Sequence, residues 1–166
     1  MKKVFEIEMR VRDYECDAYG IVNHANYLHY MENTRHEFLR SLGGSLNALL
    51  SRKIAPVVVK ADLRFKISLT GDDLFTSSLT VERNGAKMVF YQTISRKCDN
   101  AVCCKATIEV AILINGRPSR GDIFDEKMRE YLEWKFCHIV CFKKTLYICN
   151  EKSINVKKKQ WQTKIK

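Results

Sequence analysis

Residues 13–44 read DYECDAYGIVNHANYLHYMENTRHEFLRSLGG, and the fold of the chain turns on how this stretch is parsed. Its first part is polar, carrying Asp13, Glu15 and Asp17 ahead of Gly20. The remainder has the marks of one long helix. Asn23 is suited to cap its start, since an Asn side-chain oxygen accepts a backbone N–H of the first turn. Gly43 or Gly44 suits its end, where a left-handed residue closes the last turn without a Cβ penalty. Between them Tyr27, Leu28, Met31, Phe38, Leu39 and Leu42 recur at steps of three and four and predict a wide apolar stripe. The parse sets the carboxylate of Asp17 a few residues before a helix N-terminus, where unpaired backbone N–H groups favour negative charge. An acid beside such an oxyanion-stabilising end is a candidate hydrolase arrangement.

Working outward, residues 4–12 alternate: Phe5, Ile7, Met9 and Val11 face one way, and Glu6, Glu8, Arg10 and Arg12 the other. That is a half-buried strand. Downstream, residues 45–53 carry a short helical piece with Leu46, Leu49 and Leu50, and Pro56 marks a boundary. From Val57 the alternation predicts one face of Val57, Val59, Ala61, Leu63, Phe65 and Ile67. Gly71-Asp72-Asp73 makes a turn. Residues 74–83 and 87–96 are strands about Asn84-Gly85, a strong hairpin signal. After Asp99-Asn100, residues 102–114 form a last long strand closed by Asn115-Gly116, and residues 122–134 read as a terminal helix. One strand, one long helix and four strands on short links predict an α+β fold. Its antiparallel sheet of five or six strands carries one helix on a single face.

The chain has 166 residues, 46% of them apolar, which is enough for one domain with a proper core. No run of about 18 uncharged apolar residues occurs, so no membrane span is expected. The first strand begins almost at once, leaving no room for a secretory signal. Seven cysteines without a framework-like spacing predict reduced thiols in a cytoplasmic setting. Of the net charge of +10, residues 135–166 supply +8, with nine lysines against Glu151. The basic character therefore belongs to a tail and not to the body, and no nucleic-acid partner is expected. Residues 1–134 are assigned to the folded domain and 135–166 to a basic, lysine-rich C-terminal extension. Cys137, His138, Cys141 and Cys149 lack paired zinc knuckles, so no metal is expected.

The run Asp17-Ala18-Tyr19-Gly20-Ile21-Val22-Asn23-His24-Ala25-Asn26-Tyr27 resembles the 4-hydroxybenzoyl-CoA thioesterase-like family. That family carries Asp-x-x-Gly-hydrophobic-Val, then x-Asn-Tyr, ahead of its long helix. The resemblance spans roughly residues 4 to 130 and includes Gly71-Asp72, where such chains commonly carry a Gly-Asp between strands. It implies the hotdog fold, a sheet wrapped around one central helix. It also implies hydrolysis of an acyl thioester, usually acyl-CoA, with Asp17 as the essential carboxylate and without metal or cofactor. A homodimer or homotetramer with the site at the subunit interface is implied as well. The tail after Trp134 departs from the pattern.

On this reading Asp17 attacks the thioester carbonyl or deprotonates a water. The carbonyl oxygen would lie against backbone N–H groups near His24 and Ala25. Asn23 caps the helix and positions Asp17 or water, and His24 donates to the thioester or serves only through its backbone. Gly20 allows close backbone approach. Tyr27 and Met31 belong to the core by their spacing, but their helix face could border the acyl group. Asp13 and Glu15 read as solvated loop charges, and Glu32 as a rival carboxylate beside Arg35 and His36. Arg64, Lys66, Arg83 and Arg96 are available to CoA phosphates, and none is singled out. The alternatives are an acyl carrier protein thioester as substrate, or a hotdog module that binds acyl-CoA without turning it over.

Overall fold

The computed structural model describes residues 4–125, 128–129, 131–132, 140–142, 145–147 and 158–159. Strand β1 (Phe5–Arg10) alternates in burial as its sequence alternates in polarity. It pairs antiparallel with β3 (Leu74–Asn84), which continues to β4 (Lys87–Arg96), β5 (Val102–Ile114) and β2 (Ile54–Phe65), each neighbour antiparallel. Short β6 (Arg117–Ser119) pairs with the end of β5. Strands β1 and β2 thus form opposite edges of one sheet. Helix α1 (His24–Ser41), which lies between them in sequence, must cross the sheet to join them. This is the hotdog arrangement of a curled antiparallel sheet around one long helix.

Both ends of α1 close as their residues dictate. Asn23 is extended and its Oδ1 accepts the Ala25 N–H at 3.0 Å. At the other end Gly43 adopts φ +70°, its N–H donating to Arg40 O and that of Gly44 to Leu39 O, the paired bonds of a Schellman motif. The buried stripe differs from the expected one. It runs through Tyr27, Tyr30, Met31, Thr34 and Phe38, whereas Leu28 is 40% exposed. Tyr30 and Thr34 are buried because their hydroxyls are satisfied there. Tyr30 donates to Glu15 Oε2 at 2.7 Å, and Thr34 donates to the Tyr30 carbonyl and lies 2.7 Å from Ser77 Oγ on β3. Gln92 on β4 donates to the Met31 carbonyl at 3.0 Å. Between these polar pins sit ring contacts, Tyr30 on Phe75 at 4.7 Å and Phe38 on Phe90 at 6.4 Å.

Short α2 (Leu46–Ser51), capped by Ser45, leads into β2. The alternation of β2 is broken by a bulge between Val58 and Lys60. Beyond the bulge Ala61 and Leu63 pair with Ile108 and Ala106, as the sequence pattern predicts. Before it the phase inverts. Pro56 and Val58, not Val57 and Val59, pair with the buried Ile112 and Val110. The β3–β4 loop is Gly85-Ala86, one residue later than Asn84-Gly85, with Asn84 closing the ladder against Lys87. Asn115 and Gly116 do not simply end β5. Both have positive φ and form the two-residue turn into β6. Of the expected terminal helix, Asp122–Phe124 is a 3-10 turn and residues 125, 128–129 and 131 are turns, with Phe124, Met128 and Leu132 buried, while residues 126–127, 130 and 133–134 lie outside those described.

The chain divides into two compact units, Met1–Glu133 and Trp134–Lys166. In the second, β7 (Val140–Phe142), β8 (Thr145–Tyr147) and β9 (Lys158–Lys159) form a three-stranded antiparallel sheet. The side chains considered as zinc ligands, Cys137, His138, Cys141 and Cys149, fall outside what is described. No helix among the described residues is long and apolar enough to cross a membrane.

Candidate active site

The polar turn ahead of α1 is built as a narrow loop. Cys16 bridges Val22, and Ile21 bridges Thr70 in the β2–β3 connection. Within the loop the Asp17 N–H donates to Ile21 O at 2.8 Å and the Gly20 N–H to Asp17 O at 3.0 Å. Asp17 Oδ1 accepts the Tyr19 N–H at 2.9 Å, an Asx turn that fixes its side chain. Gly20 takes φ +73°, a left-handed geometry that strains any residue with a Cβ. The turn role of Asp17 and its place at the site are therefore not exclusive. One carboxylate oxygen shapes the loop, and the other has no hydrogen-bond donor among the described residues.

Glu15 anchors the base of this loop and is buried, not a solvated charge. Its Oε2 accepts the Arg12 N–H and the Tyr30 hydroxyl, both at 2.7 Å. Its backbone carbonyl accepts Asn23 N–H at 2.9 Å and Asn26 Nδ2 at 2.7 Å, clamping the loop to the first turn of α1. Burial, then the hydrogen bond to Glu15, push the Tyr30 phenol far above its usual range, so it stays a donor. No sequence signal marked Glu15. Its partner lies a full turn inside the helix.

Asp17, His24 and Tyr27 meet in one open cleft of about 240 Å³, whose other wall is the end of β2 and its continuation towards β3: Phe65, Lys66, Ile67 and Ser68. Tyr27 is buried at the bottom, edge-on to Phe65 at 5.3 Å, with its hydroxyl oxygen accepting the Leu69 N–H at 3.1 Å. Burial raises its pKa, so this hydroxyl is a neutral structural group. Asn23, Gly20 and Ala25 support the cleft without lining it, and Met31 is wholly buried in the core. The amides of the first helical turn are not equivalent. Ala25 N–H is held by the Asn23 side chain and Asn26 N–H by the Asn23 carbonyl at 2.9 Å. That of His24 has no acceptor among the described residues.

The cations sort themselves too. Arg83 is held by Asp122, Asp125 and the Arg120 carbonyl, and Arg96 by Asp99, whereas Lys66 lines the cleft. Burial first, then the carboxylates of Asp13, Asp17 and Glu15, raise the Cys16 thiol, which is therefore a poor nucleophile. Among the described residues no group of three or more His, Cys, Asp and Glu side chains is arranged to hold a metal ion.

A profile of the Thioesterase-like superfamily matches residues 11–132, from just after β1 through α1 and strands β2 to β6. The chain belongs to that superfamily. Over 115 residues it is 34% identical to acyl-CoA thioesterase YbgC of Haemophilus influenzae, covering 68% of this chain and 83% of that one. It is 30% identical over 100 residues to the chloroplastic acyl-acyl carrier protein thioesterase ATL3 of Arabidopsis thaliana, covering 60% of this chain but only 53% of ATL3. Among solved structures, a probable thioesterase from Bartonella henselae superposes with a TM-score of 0.67 at 29% identity, over 71% of this chain and 98% of that one. The hotdog fold and the thioesterase-like family thus stand together, and the cleft at Asp17 lies within the matched span.

Proposed function

We propose that this thioesterase-like domain hydrolyses acyl-CoA to the free acid and CoA, with Asp17 as the reacting carboxylate. The observation that carries the reading is the meeting, in one open cleft, of an Asp17 oxygen without a donor and the first residue of α1, whose amide lacks an acceptor, both among the described residues. A thioester carbonyl seated between them meets a base or nucleophile on one side and an N–H at the positive end of a helix on the other. Either Asp17 attacks the carbonyl carbon and water then hydrolyses the mixed anhydride, or Asp17 removes a proton from the attacking water. In both routes the C–S bond breaks and the thiolate takes up a proton. His24 borders the carbonyl, and Gly20 with Asn23 fixes the loop and the helix start. Lys66 at the rim offers a cation to CoA phosphate. The name of ATL3 keeps an acyl carrier protein thioester as the second reading, since only the carrier beyond the sulfur differs.

The domain works as a homodimer or larger homo-oligomer on this reading. Edge strand β2 presents Val57, Val58 and Val59, each 40–50% exposed in the single chain, on an unpaired ladder. A bare apolar edge of this kind is a template for another strand, and a second copy covers it. Thiol release from a panel of acyl-CoAs and matching acyl carrier protein thioesters tests the activity and chooses between carriers. Binding without thiol release would replace the hydrolase by the non-catalytic module.

A further inference from the structure

A second cavity, of about 140 Å³, opens along the other half of α1, between that helix, α2 and the inner faces of β2, β4 and β5. Its wall is largely apolar, with Phe38, Leu49, Met88, Phe90 and Ile112 among its residues. Glu32, Arg35 and His36 are the exceptions, all on the helix side. Arg35 is half-buried, and its Nη1 donates to Gln92 Oε1 at 2.7 Å. Gln92 is itself fixed through the Met31 carbonyl, so this contact is a rigid one. The arginines that ion-pair among the described residues are Arg10, Arg12, Arg40, Arg64, Arg83 and Arg96. Arg35 is not one of them. Loss of solvent is the main influence on its guanidinium, with the charge of Glu32 acting in the opposite direction. A guanidinium has five N–H donors, and one neutral amide oxygen leaves most of them unused.

The two cavities lie on one track. His24, Leu28, Glu32 and Arg35 succeed one another at steps of four, four and three, hence on one face of α1. His24 lines the cleft at Asp17, and Glu32 and Arg35 line the second cavity. β2 runs alongside with Phe65 at the first and Val58 at the second. The rise from His24 to Arg35 is roughly 16 Å.

Building on the thioesterase reading, we propose that the second cavity receives the far end of a long acyl chain and that Arg35 recognises a neutral oxygen, a hydroxyl or keto group, carried there. A plain hydrocarbon tail would cover the guanidinium and leave its donors without acceptors. A terminal carboxylate would meet Glu32 at the mouth. A hydroxyl accepts from Arg35 and has Glu32 to donate to, and a keto oxygen accepts from Arg35 alone. The apolar wall takes the methylenes.

The test is a comparison of kcat/KM for dodecanoyl-CoA, its ω-hydroxy form, its form with a keto group one carbon from the end, and its ω-carboxy form. The intact protein is expected to favour the hydroxy or keto chain over the plain one by about tenfold or more, with the carboxylate below them. Arg35→Met is expected to bring the hydroxy-to-plain ratio close to one. A wild-type ratio at or below one for both oxygenated chains, a preference for the carboxylate, or a preference that survives Arg35→Met overturns the proposal. The wild-type ratios decide even if the variant does not fold. Turnover of the whole panel without preference removes this inference and leaves the thioesterase reading intact. Failure to turn over any thioester removes both.

Discussion

At the scale of single residues, Glu15 separates a surface charge from a structural one. Its carboxylate is buried beneath the loop that carries Asp17 and takes the Tyr30 hydroxyl and the Arg12 amide. Tyr30→Phe removes one donor and leaves a buried carboxylate oxygen less satisfied. The expected cost is about 1–3 kcal/mol in chemical denaturation, together with looser protection of the loop amides in hydrogen exchange. Asp99 gives a pH test. Its carboxylate accepts from Arg96 and from the Ala101 N–H, and these hold its pKa down from 3.8 to about 2. A folded-state pKa below the unfolded value contributes stability above pH 3.8 that is lost as pH falls towards 2. Asp99→Asn is therefore expected to flatten the acid limb of Tm against pH in that window. Asp17, Gly20 and Asn23 were legible in the sequence because their roles are local: a turn, a positive φ, a cap. Glu15 and Phe65 were not, and Lys66 was only one of four candidate cations, since each acquires its role from a segment distant in sequence that only the fold brings near.

At the scale of elements, local chemistry foretold α1 and its ends but not which side it buries. Leu28 fits the apolar spacing, yet the helix rotates to bury Tyr30 and Thr34, because Glu15 and Ser77 satisfy their hydroxyls and no sequence pattern encodes that pairing. In β2 the strand was legible and its phase only in half, because one extra residue at the bulge inverts the faces before it. Deleting Val59, the unpaired residue, leaves Val58 two residues before Ala61, so the alternation runs unbroken with Ile54, Pro56 and Val58 still on the core face. The expected change is small, within about 1 kcal/mol by urea denaturation, since no paired residue is lost. A loss of about 2–5 kcal/mol, that of a buried large-to-small change, would mean that the extra residue does not set the phase of this strand.

At the scale of the whole molecule, the order strand, helix, four strands leads to one topology, with α1 carrying the chain from one sheet edge to the other. That crossing brings the start of the helix beside the end of β2 and so creates the cleft. The exposed valines of β2 belong to the same scale. Light scattering is expected to give a mass of two or more chains, and Val57→Lys with Val59→Lys to shift it towards one. A monomer in the unaltered protein would contradict the assembly. The central claim is that the carboxylate at position 17 breaks the thioester, and Asp17→Asn tests it most directly because the Asn side-chain oxygen can keep the turn to Tyr19. Free thiol released from an acyl-CoA that the unaltered protein hydrolyses is expected to fall about a thousandfold in rate, with thermal stability and acyl-CoA binding retained. Hydrolysis by a folded Asp17→Asn protein at the rate of the original would contradict the account.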